Sequence, residues 1–309
     1  MSSDAPDSSL TKSPAGFLYV LLIAATAVNL TANLIADVTL FRLDATLCPP
    51  DVTMCHPDLT PCHPEQAQPA GWVSWLIRIS KPMLVPALAG ILFLSTRGVA
   101  STIRRGSFYV ALLFCWVGDI ALLISTAVPS TEPDYFFFVG LGAFGVAHLF
   151  FIWSYAPRDK QELRWMSFVY GLPFVVYGYT LYSVIYHSLV EPKQHATVQA
   201  LSIAGYMVVL LSNGVTALLR LRANTQIRES SASILAGVVL FVQSDSIIAI
   251  TRYVSVMPLE RFSIMATYIL GLYLMVRGCF LEPREGQLSR PTAQPEARPE
   301  TPPTMQAAA

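Results

Sequence analysis

The chain is short of charge. Only 13% of its 309 residues are Asp, Glu, Lys or Arg, against about 25% in soluble domains. Twenty basic and twenty acidic residues cancel to a formal net charge of zero. No basic stripe with interleaved aromatics occurs, so the sequence carries no footprint for nucleic acid. Cysteine and histidine are scarce, five of each, and half of them crowd into one segment. No lipidation or retrieval motif closes the chain. The apolar run after the first fourteen residues is too long for a signal-peptide core and has no obvious cleavage site, so it is expected to be a retained span. What fills the space left by charge is apolar: 53% of residues are hydrophobic and the mean hydropathy is +0.50. These values describe a polytopic membrane protein.

A spanning helix needs about 20 mostly apolar residues. Eight stretches qualify, near Gly16–Phe41, Trp72–Thr96, Ser107–Val128, Tyr135–Ala156, Trp165–His187, Thr197–Leu221, Ala232–Tyr253 and Leu259–Phe280. The expected fold is an all-α, polytopic membrane bundle occupying residues 15–280. Residues 1–14 are polar, and the tail 281–309 is rich in Pro, Glu, Gln, Thr and Arg. Both ends are expected to be disordered, because such segments bury too little apolar surface. Arg97, Arg104 and Arg105 follow the second span, Arg158, Lys160 and Arg164 the fourth, and Arg220, Arg222 and Arg228 the sixth. The positive-inside rule places those loops, and both termini, in the cytosol.

The loop 42–70 then falls on the other side. It repeats Cys48-Pro49-Pro50, Cys55-His56-Pro57-Asp58 and Cys62-His63-Pro64-Glu65 with a period of seven. Cys-His pairs can bind zinc, but this spacing matches no common site. A Pro-rich loop, with or without one disulfide, is the plainer expectation on an oxidising side.

Against this background two aspartates stand out. Asp119 and Asp245 each follow a small residue in the middle of an otherwise greasy span. An ionisable residue there costs roughly 2.5–3.5 kcal/mol on insertion scales and usually faces the bundle interior. Asp119 lies twelve residues after Ser107 and Asp245 thirteen after Ala232, in parallel spans four helices apart. Equal depth suggests two four-helix halves related by an axis along the membrane normal.

Other polar residues join them. Asn29, Asn33 and Asp37 share a face of the first span. In the second span Arg78 and Lys81 precede Pro82 and Pro86. Arg78 is placed to snorkel, whereas Lys81 lies about 14 Å in from Trp72 and suits a cavity. His148 follows Gly140, Gly142 and Gly145, which should admit a neighbouring helix closely. A lone His in a membrane helix is more often a hydrogen-bonded structural residue, with membership of a site as the alternative. The tyrosines of the fifth span suit interface or packing roles, and Tyr206 and Asn213 in the sixth stay ambiguous. Asp37, Asp119 and Asp245 numerically oppose Arg78, Lys81 and Arg252, so a structural ion-pair network competes with a catalytic reading.

In order and spacing, several motifs resemble the YhhN-like family of membrane proteins, the transmembrane protein 86 type, whose characterised members are lysoplasmalogenases. These motifs are Ser80-Lys81-Pro82, Phe114 through Gly118-Asp119 to Leu122, Gly140 to Phe144 leading to Ala147-His148, Leu240-Phe241 through Ser244-Asp245-Ser246, and Thr267-Tyr268. The resemblance covers nearly all of Trp72–Phe280. The family often carries a Gln a few residues after the last-span Tyr, where this chain has Gly271-Leu272.

The resemblance implies hydrolysis of the vinyl-ether bond of a lysoplasmalogen, giving a fatty aldehyde and a glycerophospho-ethanolamine or -choline. Such an enzyme works in an endomembrane such as the endoplasmic reticulum. Its partners are the lysophospholipid and the bilayer. Protonation of the β carbon generates an oxocarbenium ion, water adds, and the hemiacetal collapses. One carboxylic acid and one carboxylate meet both demands, as in glycosidases, with no metal and no cofactor. Asp119 and Asp245 are the expected catalytic pair. Lys81, His148, Asn33, Ser244 and Tyr268 are the expected supporting or substrate-binding residues. Two other classes fit the same residues: a proton-coupled transporter and a non-enzymatic lipid-binding bundle.

Overall fold

The computed structural model describes residues 13–47, 71–97, 101–127, 135–157, 163–190, 196–223 and 227–281. The Cys/His loop, nearly all of the N-terminal segment and nearly all of the tail lie outside the described residues. Eight helices are present: α1 (Pro14–Leu47), α2 (Gly71–Thr96), α3 (Arg105–Ser125), α4 (Tyr135–Tyr155), α5 (Leu163–Val190), α6 (Ala196–Ala223), α7 (Arg228–Tyr253) and α8 (Glu260–Phe280). Among the described residues, seven are long and apolar enough to cross a membrane. The exception is α5, whose apolar content is diluted by Tyr170, Tyr177, Tyr179, Tyr182 and Tyr186. The chain is a polytopic helical membrane protein.

Helix boundaries follow how polar groups are satisfied. The sequence suggests that α7 starts at Ala232, yet it begins four residues earlier. The reason is that Ser230 donates to the Gly278 carbonyl and Ser233 to the Leu274 carbonyl, each at 2.8 Å. Serines that look like loop residues thus become the seam between α7 and α8. The same seam needs glycine. A Cβ on Gly237 would lie 2.5 Å from the Gly271 carbonyl oxygen, and one on Gly271 would lie 2.9 Å from that of Gly237. Close backbone approach of this kind is how membrane helices pack.

Proline fixes the neighbouring interface. Pro86 has no N–H to give to the carbonyl of Pro82, one turn back. Trp116 of α3 takes that carbonyl instead, with Nε1 donating at 2.9 Å. This pins α2 against α3 beside Lys81. At the far end of α1, Asp37 Oδ2 accepts the backbone N–H of Phe262 at 2.9 Å. It therefore caps the N-terminal turn of α8, where orphan N–H groups favour an anion.

The helices pair as α1 with α2, α3 with α4, α5 with α6 and α7 with α8. Adjacency in the two halves corresponds: α2–α3 mirrors α6–α7, and α2–α8 mirrors α6–α4. The correspondence fails at α1 and α5. Among the described residues α1 packs on α8 but α5 does not pack comparably on α4, and α5 packs on α7 but α1 does not pack comparably on α3. At one end of the bundle basic side chains tie the helices together. Arg104 donates to the Trp153 carbonyl, Arg105 to the Thr96 carbonyl, and Arg220 to the Tyr155 carbonyl and to Thr102 Oγ1.

Candidate active site

Two polar triads occupy the bundle core. In the first, Asp119 of α3 is almost fully buried, at 2% exposure. Lys81 Nζ of α2 lies 3.5 Å from its Oδ1, and Tyr268 of α8 donates its hydroxyl to Oδ2 at 2.7 Å. Lys81 has not turned to the membrane surface. In the second, Asp245 of α7 accepts the hydroxyl of Tyr206 from α6, and His148 Nε2 of α4 stands 3.9 Å from Oδ2.

The triads repeat the order of the helices. Moving each helix number on by four carries α2, α3 and α8 to α6, α7 and α4, so Lys81, Asp119 and Tyr268 correspond to Tyr206, Asp245 and His148. Lys81 follows Gly71, the first residue of α2, by ten positions, and Tyr206 follows Ala196, the first of α6, by ten. The two carboxyl groups lie within electrostatic reach of one another, and Cys115 lies within reach of both. Aromatic rings join the triads. Phe241 sits edge-on to Tyr268 at 5.3 Å and to His148 at 4.6 Å, and Phe144 stands 6.0 Å from Phe241. Gly118 makes room for the Phe144 ring, which a Cβ there would meet at 2.7 Å.

The resemblance between the triads hides a chemical difference. Asp119 has an ammonium partner. Asp245 has only a phenol and an imidazole, and it keeps 13% of its side chain exposed, lining an apolar cavity. The imidazole is oriented from behind. Tyr155 donates its hydroxyl to Asn213 Oδ1, which turns the amide nitrogen to His148 Nδ1 at 2.9 Å. An amide nitrogen only donates, so Nδ1 accepts and the proton of the neutral ring sits on Nε2, toward Asp245. Among the described residues Nε2 is buried without a hydrogen-bond partner.

The remaining expected residues lie apart from the carboxylates. Asn33 donates to the carbonyl and side-chain oxygens of Asn29, which in turn donates to Ser80 Oγ at 2.9 Å. This net ties α1 to α2 one residue from Lys81. Ser244 donates to the Ile264 carbonyl at 3.1 Å and serves the α7–α8 seam. Gly140 packs against α3, with a Cβ there meeting Leu122 at 3.0 Å, whereas Gly142 faces open space. Arg252 lies over the Phe137 ring at 3.9 Å. Sequence reading left Tyr206 and Asn213 undecided and did not single out Tyr155. The equal offsets of Lys81 and Tyr206 in α2 and α6 were the available signal for Tyr206.

The YhhN family profile matches residues 76–279. That interval holds both triads complete. The chain belongs to the YhhN family. It is also 27% identical over 226 residues to the lysoplasmalogenase TMEM86B of Rattus norvegicus, covering 70% of this chain and 76% of the rat protein. No solved structure matches it.

Proposed function

We propose that this YhhN-family protein hydrolyses the vinyl-ether bond of a lysoplasmalogen through Asp119 and Asp245. One observation carries the reading: in the bundle core Asp119 is buried against an ammonium, whereas Asp245, partly exposed to an apolar cavity, has no ammonium partner among the described residues. Asp119, held by Lys81 and Tyr268, acts as the carboxylate. Asp245, beside the apolar cavity and without an ammonium partner, acts as the carboxylic acid. Its proton goes to the β carbon of the vinyl ether, and the α carbon becomes an oxocarbenium ion. Asp119 stabilises that cation and accepts a proton from the attacking water. As the hemiacetal breaks its bond to the glycerol oxygen, Asp245, now a carboxylate, takes the hydroxyl proton and Asp119 gives its proton to the leaving oxygen, which restores both groups. One water is consumed, and a fatty aldehyde and a glycerophospho-alcohol leave. The carboxyl pair divides labour as in glycoside hydrolysis, and a general acid–base group typically contributes about 10²–10⁴-fold. Tyr206 holds the Asp245 carboxyl in place through its hydroxyl, and the His148 ring faces it at 3.9 Å. The name of the rat relative, a lysoplasmalogenase, agrees with this chemistry.

Purified protein in detergent, given a panel of vinyl-ether, saturated-ether and ester lysolipids, tests the assignment. Aldehyde from the vinyl ether alone is expected. Absence of turnover together with proton-coupled flux in liposomes would move the protein to the transporters.

A further inference from the structure

The cavity beside Asp245 has a shape of its own. It encloses about 660 Å³, including its open mouth, between α4, α5, α6 and α7. Its walls are apolar along their length, with Phe137, Leu141, Leu181, Ile203, Ala249 and Tyr253 among them. Asp245 lines it, and Tyr177 and Ser246, hydrogen-bonded to each other at 2.6 Å, line the wall beside it. Along α7 the lining runs from Val242 past Asp245 to Tyr253, and the stretch from Asp245 to Tyr253 is eight residues, about 12 Å at 1.5 Å per residue. The slot lies on the side of the bundle where the half-to-half correspondence fails, since α5 does not close on α4 as α1 closes on α8.

A second hollow adjoins it. Phe138, Leu141, Gly142, Gly145, Ser202 and Tyr206 line a cleft between α4 and α6. Leu141 and Tyr206 line both hollows. A Cβ on Gly142 would meet nothing within 4 Å. The neighbouring outward residues are large and apolar: Val139 is 55% exposed and Leu201 is 72% exposed. In a spanning bundle such a face meets lipid.

We propose that the slot binds the single hydrocarbon chain of a membrane lysolipid, which enters sideways through the α4–α6 cleft past Tyr206 and Leu141. The proposal rests on the vinyl-ether reading for what happens at Asp245, but the slot itself is defined by its walls. One undivided apolar compartment with a single carboxyl group in its wall fits one chain whose first polar atoms lie at Asp245. It gives a diacyl lipid no place for its second chain. Tyr206 both forms the partition and bonds Asp245, so chain entry and the acid are coupled through one side chain.

Binding and turnover can be read separately. The full-length protein in nanodiscs is photolabelled with a saturated-ether lysolipid carrying a terminal diazirine, which the proposed chemistry cannot cleave. Label is expected at Phe137, Leu181 or Tyr253, with competition by single-chain lipid and not by diacyl lipid. Label confined to outward positions such as Phe93 or Val176 would overturn the slot, as would equal competition by diacyl lipid. Ala249→Phe fills the slot one turn beyond Asp245. It is expected to lower kcat/KM for a 12-carbon chain relative to a 4-carbon chain by at least about 10-fold, since single methylenes in apolar pockets discriminate on that scale. Gly142→Leu should slow turnover of membrane-embedded substrate by a similar factor while leaving the fold intact. An unchanged chain-length ratio for Ala249→Phe counts against the slot, and an unchanged rate for Gly142→Leu counts against lateral entry. Slot labelling without wild-type turnover leaves the slot standing and removes the vinyl-ether chemistry. Turnover without slot labelling does the reverse.

Discussion

The Lys81–Asp119 pair allows stability and chemistry to be separated by one mutant cycle. The atoms stand 3.5 Å apart, with Lys81 14% and Asp119 2% exposed. At an effective dielectric of 20, unit charges at that spacing attract by about 5 kcal/mol. Much of this offsets the cost of burying the charges, so the pair adds little net stability, but removing one partner leaves the other stranded at about 3–5 kcal/mol. Lys81→Met strands Asp119, which has no route to water. Asp119→Asn strands Lys81, whose stem can carry the ammonium outward, so it should cost less. In the double variant Met follows the lysine stem, the amide still accepts the Tyr268 hydroxyl, and no charge is left alone. Its unfolding free energy in mild detergent should therefore lie well above the sum of the two losses, with a coupling of about 2–3 kcal/mol. Aldehyde release should stay absent in the double variant, because it lacks the Asp119 carboxylate. Additive stability losses would refute the buried pair. A double variant that regained turnover would refute the catalytic role of Asp119.

Asp245→Asn should abolish aldehyde release, by at least about 10²-fold, with the protein still folded in size-exclusion chromatography. Adding Asp119→Asn to it should make turnover little worse, because residues acting as a unit are not additive. Gly237→Ala should lower thermal stability by about 1–3 kcal/mol of strain, since the new methyl would press on the Gly271 backbone at 2.5 Å. Cysteine labelling of right-side-out vesicles should reach Cys55 before permeabilisation and single cysteines introduced into the Arg-rich loops only after it. The opposite order would reverse the orientation expected from loop charge.

The bundle was legible because apolar length and arginine alternation are properties of single segments. The aspartates were legible for a related reason, since a carboxyl group in a greasy span is conspicuous without any knowledge of its neighbours. What the sequence withheld was pairing. Asp37 looked like part of a polar face shared with Asn33, but it caps α8, 225 residues away. Ser244, adjacent to Asp245 in sequence, points about 100° round the helix and bonds an α8 carbonyl. Tyr206 reads as an ordinary apolar-helix tyrosine until α6 is laid against α7. Gly271 gives no sign in the sequence of the α7–α8 crossing that requires it, where a Cβ would lie 2.9 Å from the Gly237 carbonyl oxygen.

Carbon protonation is the central claim, and isotope placement tests it most directly. Wild-type protein turning over a vinyl-ether lysolipid in heavy water should run more slowly than in light water. The aldehyde, sampled early before free exchange, should carry one deuterium on the carbon next to its carbonyl. Aldehyde released promptly without that deuterium would contradict protonation of the β carbon, and with it the roles given to Asp245 and Asp119.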